Sequence, residues 1–358
     1  MHQARRILGT ADRAAEAVSS ARRPPPVSGL ESLPPGLESM PIGLEPAAPA
    51  GSLVARAVAE EREQRIDDGL KAMEKIERGR DDQLSQREQQ GLEAIILLAG
   101  RPAILIQEGD FMDPPAIWTA LKDVRTQIKS VIQRVGRIEV ANNPNLDWLG
   151  TGFLAGPATV LTNRHVAVEF AMTTARTPGT WTFRPPMTAN IDFKEEFGGT
   201  SPLEFAITDI IGIHDTLDLA ALRVAPMSNQ IALPDPIPVV ATSPASLVGR
   251  KVYVVGYPAW DGRRNDPEPM RRIFSEIYNV KRLQPGEIAS EAVAGLEIFH
   301  DCSTLGGNSG SPVIDLETHQ VLGLHFGGRY MQKNHAIPLW AIRTDPLIQR
   351  AGLNYATA

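Results

Sequence analysis

The 358-residue chain contains a single cysteine, Cys302. An internal disulfide framework is excluded, and a lone thiol suits a reducing compartment, so the chain reads as cytoplasmic. Long apolar runs are also missing. The most apolar stretch, Ala94 to Ile106, is broken by Arg101 and falls short of the roughly 20 residues a bilayer requires. No membrane partner is expected. The opening MHQARRILGTADRAAEAVSSARR lacks the continuous apolar centre of a secretory signal. Positive charge is not in excess: Lys+Arg 36 against Asp+Glu 42 gives a net charge of −6. Without a broad basic surface, nucleic acid is not expected as a partner. The 7 histidines show no ligand-like spacing, and there is no paired-cysteine or His-Glu-x-x-His motif. Neither a metal nor a nucleotide cofactor is expected.

What is present is enough apolar material (42%) for one large or two ordinary domains, together with 29 prolines and 30 glycines. Residues 1–52 read as a largely disordered leader, with a short amphipathic helix allowed over residues 1–23. From Pro24 to Ala50, Pro, Gly, Ser and Ala dominate, and such a segment cannot bury enough surface to offset its chain entropy. It carries Gly-Leu-Glu three times, ending at Glu31, Glu38 and Glu45. Residues 53–135 read as a small helical domain. Ile66, Leu70, Met73 and Ile76 share one helix face, and Ser85 with Glu88 forms a capping box that opens a second helix. Gly100-Arg101-Pro102 stops that helix, and Ala103–Gln107 is a short strand or buried run. A third helix is expected through Ile117, Leu121, Val124, Ile128 and Ile132. From residue 136 to 358 the texture is short β-type runs between Gly, Pro and Asn, which points to a sandwich or barrel. Pro346–Ala351 reads as a terminal helix.

Three segments of the β-rich region bear chemistry. Thr159-Val160-Leu161-Thr162-Asn163-Arg164-His165-Val166 delivers a histidine at the end of a strand. Asp218-Leu219-Ala220-Ala221-Leu222 opens an apolar strand with an acid. Gly306-Gly307-Asn308-Ser309-Gly310-Ser311-Pro312-Val313 sets a serine among glycines. Backbone N–H groups of so tight a turn can converge on one small volume, as an oxyanion hole requires.

Together these segments resemble the chymotrypsin-like, trypsin-fold serine peptidases over about residues 137–345, and the order His, Asp, Ser is the chymotrypsin order. The resemblance implies a mainly β, two-barrel fold behind the helical domain. It implies a triad of His165, Asp218 and Ser309, with an oxyanion hole from the N–H groups of Gly307 and Ser309. His214 and Asp215 lie near Asp218, but only Asp218 carries the acid-Leu-Ala-hydrophobic run. A narrower similarity links Thr-Asn-Arg-His-Val and Gly323-Leu324-His325-Phe326-Gly327-Gly328 to the glutamyl endopeptidases. It implies that Thr304, His325 and Gly327 line a pocket for a substrate carboxylate.

Two departures stand out. Asn308 replaces the acid that in trypsin pairs with a freed amino terminus, and the barrel is preceded by a long segment. Glu31 and Glu38, each followed by serine, are candidate self-cleavage sites, whereas Pro46 protects Glu45. Cys302 reads as a packed residue. The expected partner is a protein or peptide substrate, with a protein regulator acting through the helical domain. The competing reading is a silent trypsin-fold scaffold regulated by that domain.

Overall fold

The computed structural model describes residues 8, 10–21, 53–95, 100–173, 180–199, 201–226, 232–260, 267–291, 295–328 and 333–357. The Pro-rich linker with its Gly-Leu-Glu repeats lies outside them. The chain divides into two compact units, 1–102 with 114–120, and 103–113 with 121–358.

In the first unit, α1 (Ala11–Ala21), α2 (Leu53–Glu77) and α3 (Gln86–Ile95) enclose a small core. Ile66, Met73 and Ile76 of α2 are buried there with Leu92 and Ile95, and Leu70 is packed against them. The short helix allowed over residues 1–23 lies at Ala11–Ala21, and Leu8, Ala14 and Val18 bury themselves in the same core. The α2–α3 crossing is close: a Cβ on Gly69 would lie 2.3 Å from the Gly91 carbonyl oxygen. The capping box forms. The Ser85 N–H donates to Glu88 Oε2 (2.8 Å) and the Glu88 N–H to Ser85 Oγ (3.2 Å). Lys75 adds an ion pair at 2.7 Å. No helix among the described residues is long and apolar enough to cross a membrane.

The expected third helix is two elements serving two cores. Residues Ala116–Lys122 form a 3-10 turn, distorted at Trp118 (φ −111°), and α4 follows only at Arg125–Ile132. Trp118 is held by its indole N–H, which donates to the Gly100 carbonyl at 3.0 Å. Ile117 joins the helical core, whereas Ile128 and Ile132 are buried in the second unit. The expected boundary at residue 136 moves accordingly. Strand β1 (Ile104–Gln107) pairs with a later strand, and β2 (Asp110–Phe111) folds back on it. The Glu108-Gly109 turn between them has φ of 53° and 73°, as a two-residue hairpin demands.

The second unit holds two closed six-stranded antiparallel barrels. The first is built from β3 (Val135–Ala141), β4 (Trp148–Gly156), β5 (Thr159–Thr162), β8 (Thr188–Asp192), β9 (Glu204–Ile213) and β10 (Ala220–Pro226). A single turn, α5 (Arg164–Ala167), follows β5, and β6 (Ala171–Thr173) pairs with β7 (Trp181–Phe183) outside the ring. Its core includes Leu154, Val160, Phe170, Ile191, Phe205 and Leu222. The second ring runs through β11 (Lys251–Gly256), β12 (Arg282–Glu291), β13 (Ile298–His300), β14 (Pro312–Asp315), β15 (Val321–Gly328) and β16 (Asn334–Pro338). Between β11 and β12 lies α6 (Pro267–Phe274), and the terminal helix α7 spans Pro346–Ala351, as read from the sequence. Cys302 is a buried thiol packed in this second core.

The barrels meet around Lys281. Its buried ammonium donates to the carbonyls of Ile132 (3.0 Å) and Phe193 (2.5 Å) and faces Glu196 at 3.4 Å. Glu196 in turn accepts the Gly109 N–H of the β1–β2 hairpin at 2.6 Å. Burial pushes the Lys281 ammonium down to about 8.

Hydrogen bonds from Lys75 and the Ser85 N–H hold the Glu88 carboxyl down to about 2, from an ordinary value of 4.5. A carboxylate depressed in the folded state stabilises it above the unfolded value and loses that effect as the pH falls. Glu88→Gln should therefore be less stable than the parent at neutral pH. The difference should close between pH 4.5 and about 2, as followed by helical circular dichroism in denaturant.

Candidate active site

His165 sits on the single turn α5 at the end of β5, with its side chain half exposed. Asp218, in the β9–β10 loop, grips it twice. Its Oδ2 lies 2.6 Å from His165 Nδ1, and its Oδ1 accepts the His165 backbone N–H at 2.9 Å. A carboxylate is acceptor-only, so Nδ1 carries the proton and Nε2 presents a lone pair. The residues before His165 hold the same loop. The buried Asn163 amide donates to the Asp218 carbonyl at 2.8 Å, and Arg164 Nη1 reaches the carbonyls of His214 and Asp215. Asn163 and Arg164 lie within the histidine motif, but no local pattern assigns them this task.

The serine loop is shaped by glycine. Gly307 (φ +84°) and Gly310 (φ +89°) occupy the left-handed region that side chains resist. A Cβ on Gly310 would stand 2.0 Å from the Thr151 carbonyl oxygen, and one on Gly307 would strike Tyr257 and Trp148. The first barrel holds the loop through Thr151, whose N–H donates to the Ser309 carbonyl (2.8 Å) and whose hydroxyl donates to that of Gly307 (2.7 Å). The Gly310 N–H is used by His325 and that of Ser311 by Asn308. The N–H groups of Gly307 and Ser309 donate to no protein group among the described residues. Unengaged donors of this kind are what an oxyanion hole requires.

Ser309 reaches the neighbourhood of His165 through Gly150, whose Cβ would touch Val166 at 2.9 Å and the Ser309 carbonyl at 3.0 Å. No hydrogen bond joins Ser309 Oγ to His165 Nε2 in this structure. Such contacts tighten when substrate binds. His214 and Asp215 stand apart from this arrangement: the His214 ring turns to Asp345 at 3.2 Å.

The pocket residues fare unequally. His325, in β15, is buried, and its Nδ1 lies 3.1 Å from Nε2 of the equally buried His300. Burial holds both imidazoles neutral: His300 is pushed down to about 3, and His325 falls well below its ordinary value. His300 Nδ1 is buried without a partner. An orphaned lone pair is tolerated better than an orphaned N–H, which assigns the His300 proton to Nε2. His300 then donates to His325 Nδ1, and His325 carries its own proton on Nε2. Sequence reading missed His300, whose only signal is its inward position in the alternating strand Ile298-Phe299-His300. Gly327 faces open space. Thr304 is committed elsewhere, its hydroxyl donating to Asn334 Oδ1 at 2.9 Å. It would have to leave Asn334 to serve a substrate carboxylate.

Among the described residues, one group of carboxylates, Glu139, Asp192 and Glu195, has oxygens close enough for a cation. Arg137 already bridges Glu139 (2.6 Å) and Glu195 (3.3 Å). Burial, ahead of the neighbouring charges, raises the Glu195 carboxyl.

Residues 150–324 match the model of the trypsin-like peptidase domain. A probable serine protease of Lysobacter enzymogenes is 30% identical over 314 residues, covering 79% of this chain and 81% of that one. The glutamyl endopeptidase of Staphylococcus epidermidis is 28% identical over 184 residues, which is 50% of this chain and 54% of that protein. Among solved structures, the serine endoprotease of Yersinia pestis aligns at 17% identity with a TM-score of 0.41, covering 62% of this chain and 65% of that one. The chain belongs to the trypsin-like serine peptidases. It is a serine endopeptidase, and its substrates are proteins or peptides.

Gly310→Ala should lower kcat/KM by on the order of 10² through displacement of the serine loop. Overpacking at this position should also cost about 1–3 kcal/mol of stability. Gly249 has a similar φ (+82°) with nothing within 4 Å of its would-be Cβ. Gly249→Ala should therefore cost only backbone strain and leave kcat/KM unchanged, a comparison made by kinetics and denaturant titration of both variants.

Proposed function

We propose that Ser309, His165 and Asp218 form the catalytic triad and that the enzyme prefers glutamate before the scissile bond. The observation that carries the triad is the double hold of Asp218 on His165. It fixes the ring with its basic nitrogen outward, which is the state a general base needs. Ser309 Oγ attacks the scissile carbonyl carbon while His165 Nε2 takes the hydroxyl proton. The oxyanion settles against the N–H groups of Gly307 and Ser309. The C–N bond then breaks, and the imidazolium returns the proton to the departing amine. Water repeats the sequence on the acyl-enzyme and frees Ser309.

Glutamate preference rests on His325. An imidazole locked with its proton on Nε2 offers a donor to an acceptor-only carboxylate, and a relative over 184 residues is named a glutamyl endopeptidase. With the same preference, Glu31 and Glu38 become sites of self-processing. The helical unit is assigned to regulation through a protein partner, and the lone buried thiol fits a cytoplasmic setting.

A fluorophosphonate probe should label the protein and fail to label Ser309→Ala. Absence of labelling under every condition would instead favour a silent scaffold. In the same pair, prolonged incubation should shorten the active protein after Glu31 or Glu38 and leave Ser309→Ala at its intact mass. Equal masses would end the self-processing proposal. His325→Val should reduce the preference for Glu over Leu peptides by about 10²-fold or more, since the paired donor is lost. An unchanged ratio would overturn the pocket assignment.

A further inference from the structure

His214 opens the loop that carries Asp218, and its ring is fully engaged. Nδ1 accepts the backbone N–H groups of Thr216 (3.1 Å) and Leu217 (2.9 Å), and Nε2 lies 3.2 Å from Asp345 Oδ2. A nitrogen that accepts two N–H bonds carries no proton, so the ring is the Nε2–H tautomer and donates to Asp345. The loop is closed further by the His214 N–H on the Leu219 carbonyl (2.9 Å) and by Arg164 on the carbonyls of His214 and Asp215. Asp345 is at the same time the N-cap of α7, its Oδ1 accepting the N–H groups of Leu347 and Ile348. Helix α7 packs on β9 beside the loop: a Cβ on Gly212 would meet Leu347 Cδ1 at 2.6 Å.

We propose that His214 is a positioning residue for the catalytic acid, and that Asp345 sets the tautomer on which it depends. The ring replaces a missing stretch of backbone pairing. By accepting two consecutive N–H groups it curls residues 214–217 into a turn, as an Asx side chain does, and so delivers Asp218 to His165. Asp345 makes this curl depend on the C-terminal helix. The inference rests on the triad reading given above.

Asp345→Asn isolates the claim. Asparagine caps a helix as well as aspartate, but its amide N–H groups face His214 Nε2. The ring must then accept there and carry its proton on Nδ1, against two backbone donors. Histidine-selective 15N spectra of the whole protein should show the Nε2–H form of His214 in the parent and its loss in Asp345→Asn. On a Glu-containing peptide, kcat should fall about tenfold or more with KM within about twofold, as expected when a positioned group is displaced. Asp345→Ser, which keeps a cap and removes only the acceptor, should lose less. The double variant His214→Asn with Asp345→Asn should recover kcat, because an asparagine oxygen accepts the same two N–H groups. A purely structural role for Asp345 would change the melting temperature and leave kcat and the ring tautomer alone. A native Nδ1–H form, or parental kcat in both Asp345 variants, would overturn the proposal. Asp218→Asn in the same assay separates the two readings. If it retains activity the triad assignment is at fault, and if it is inactive while the Asp345 variants are not, only the role of His214 and Asp345 falls.

Discussion

One carboxylate organises the candidate active site. Asp218 holds both the ring and the backbone of residue 165, so the histidine cannot turn without breaking two bonds. A half-exposed imidazole on a four-residue turn would otherwise sample several rotamers. Three consecutive residues, Asn163, Arg164 and His165, spend their polar groups on the short loop that brings the acid. The geometry is thus set by hydrogen bonds between two loops of one barrel. The serine is held by the other barrel's glycine turn and anchored across the gap by Thr151. Fixing donors and acceptors before substrate arrives is what makes such a site effective, because little reorganisation is left for the reaction itself.

The histidine pair beside the serine uses the opposite principle. Where Asp218 orients a half-exposed ring by hydrogen bonds, burial keeps His300 and His325 neutral. A neutral donor chain can receive a carboxylate without a resident cation. Under the proposed glutamate preference, a wrong side chain would leave an N–H of this chain unpaired.

Much of this was legible because the relevant residues are dictated locally. A serine flanked by glycines needs its left-handed turns, and an acid before Leu-Ala-Ala-Leu marks the start of a buried strand. The strand Thr159–Thr162 and the helix Pro346–Ala351 were readable for the same reason. Other features depended on distant partners. Strand β12 reads as Arg-Leu-Gln-Pro-Gly-Glu and carries no apolar alternation, yet Arg282 is buried because the carbonyls of Ala103, Phe274 and Ile277 receive it. The stripe from Ile117 to Ile132 has helical spacing, but its two ends pack against different cores, and periodicity alone does not say which core a residue enters. The partners of His214 and His300, at Asp345 and His325, are likewise set by the closed barrels and not by local sequence.

The β1–β2 hairpin has a bearing on how this chain can be cut, by evolution or by the experimenter. Residues 103–113 precede the first barrel but pair with β12, and the backbone then returns to the helical unit before the barrels begin. A fragment starting at residue 136 retains His165, Asp218 and Ser309 but strips a strand from β12, the α4 carbonyl from Lys281 and the Gly109 donor from Glu196. The peptidase body is therefore not a cassette with one seam, and its inheritance as a portable module must include the thread that passes through its neighbour.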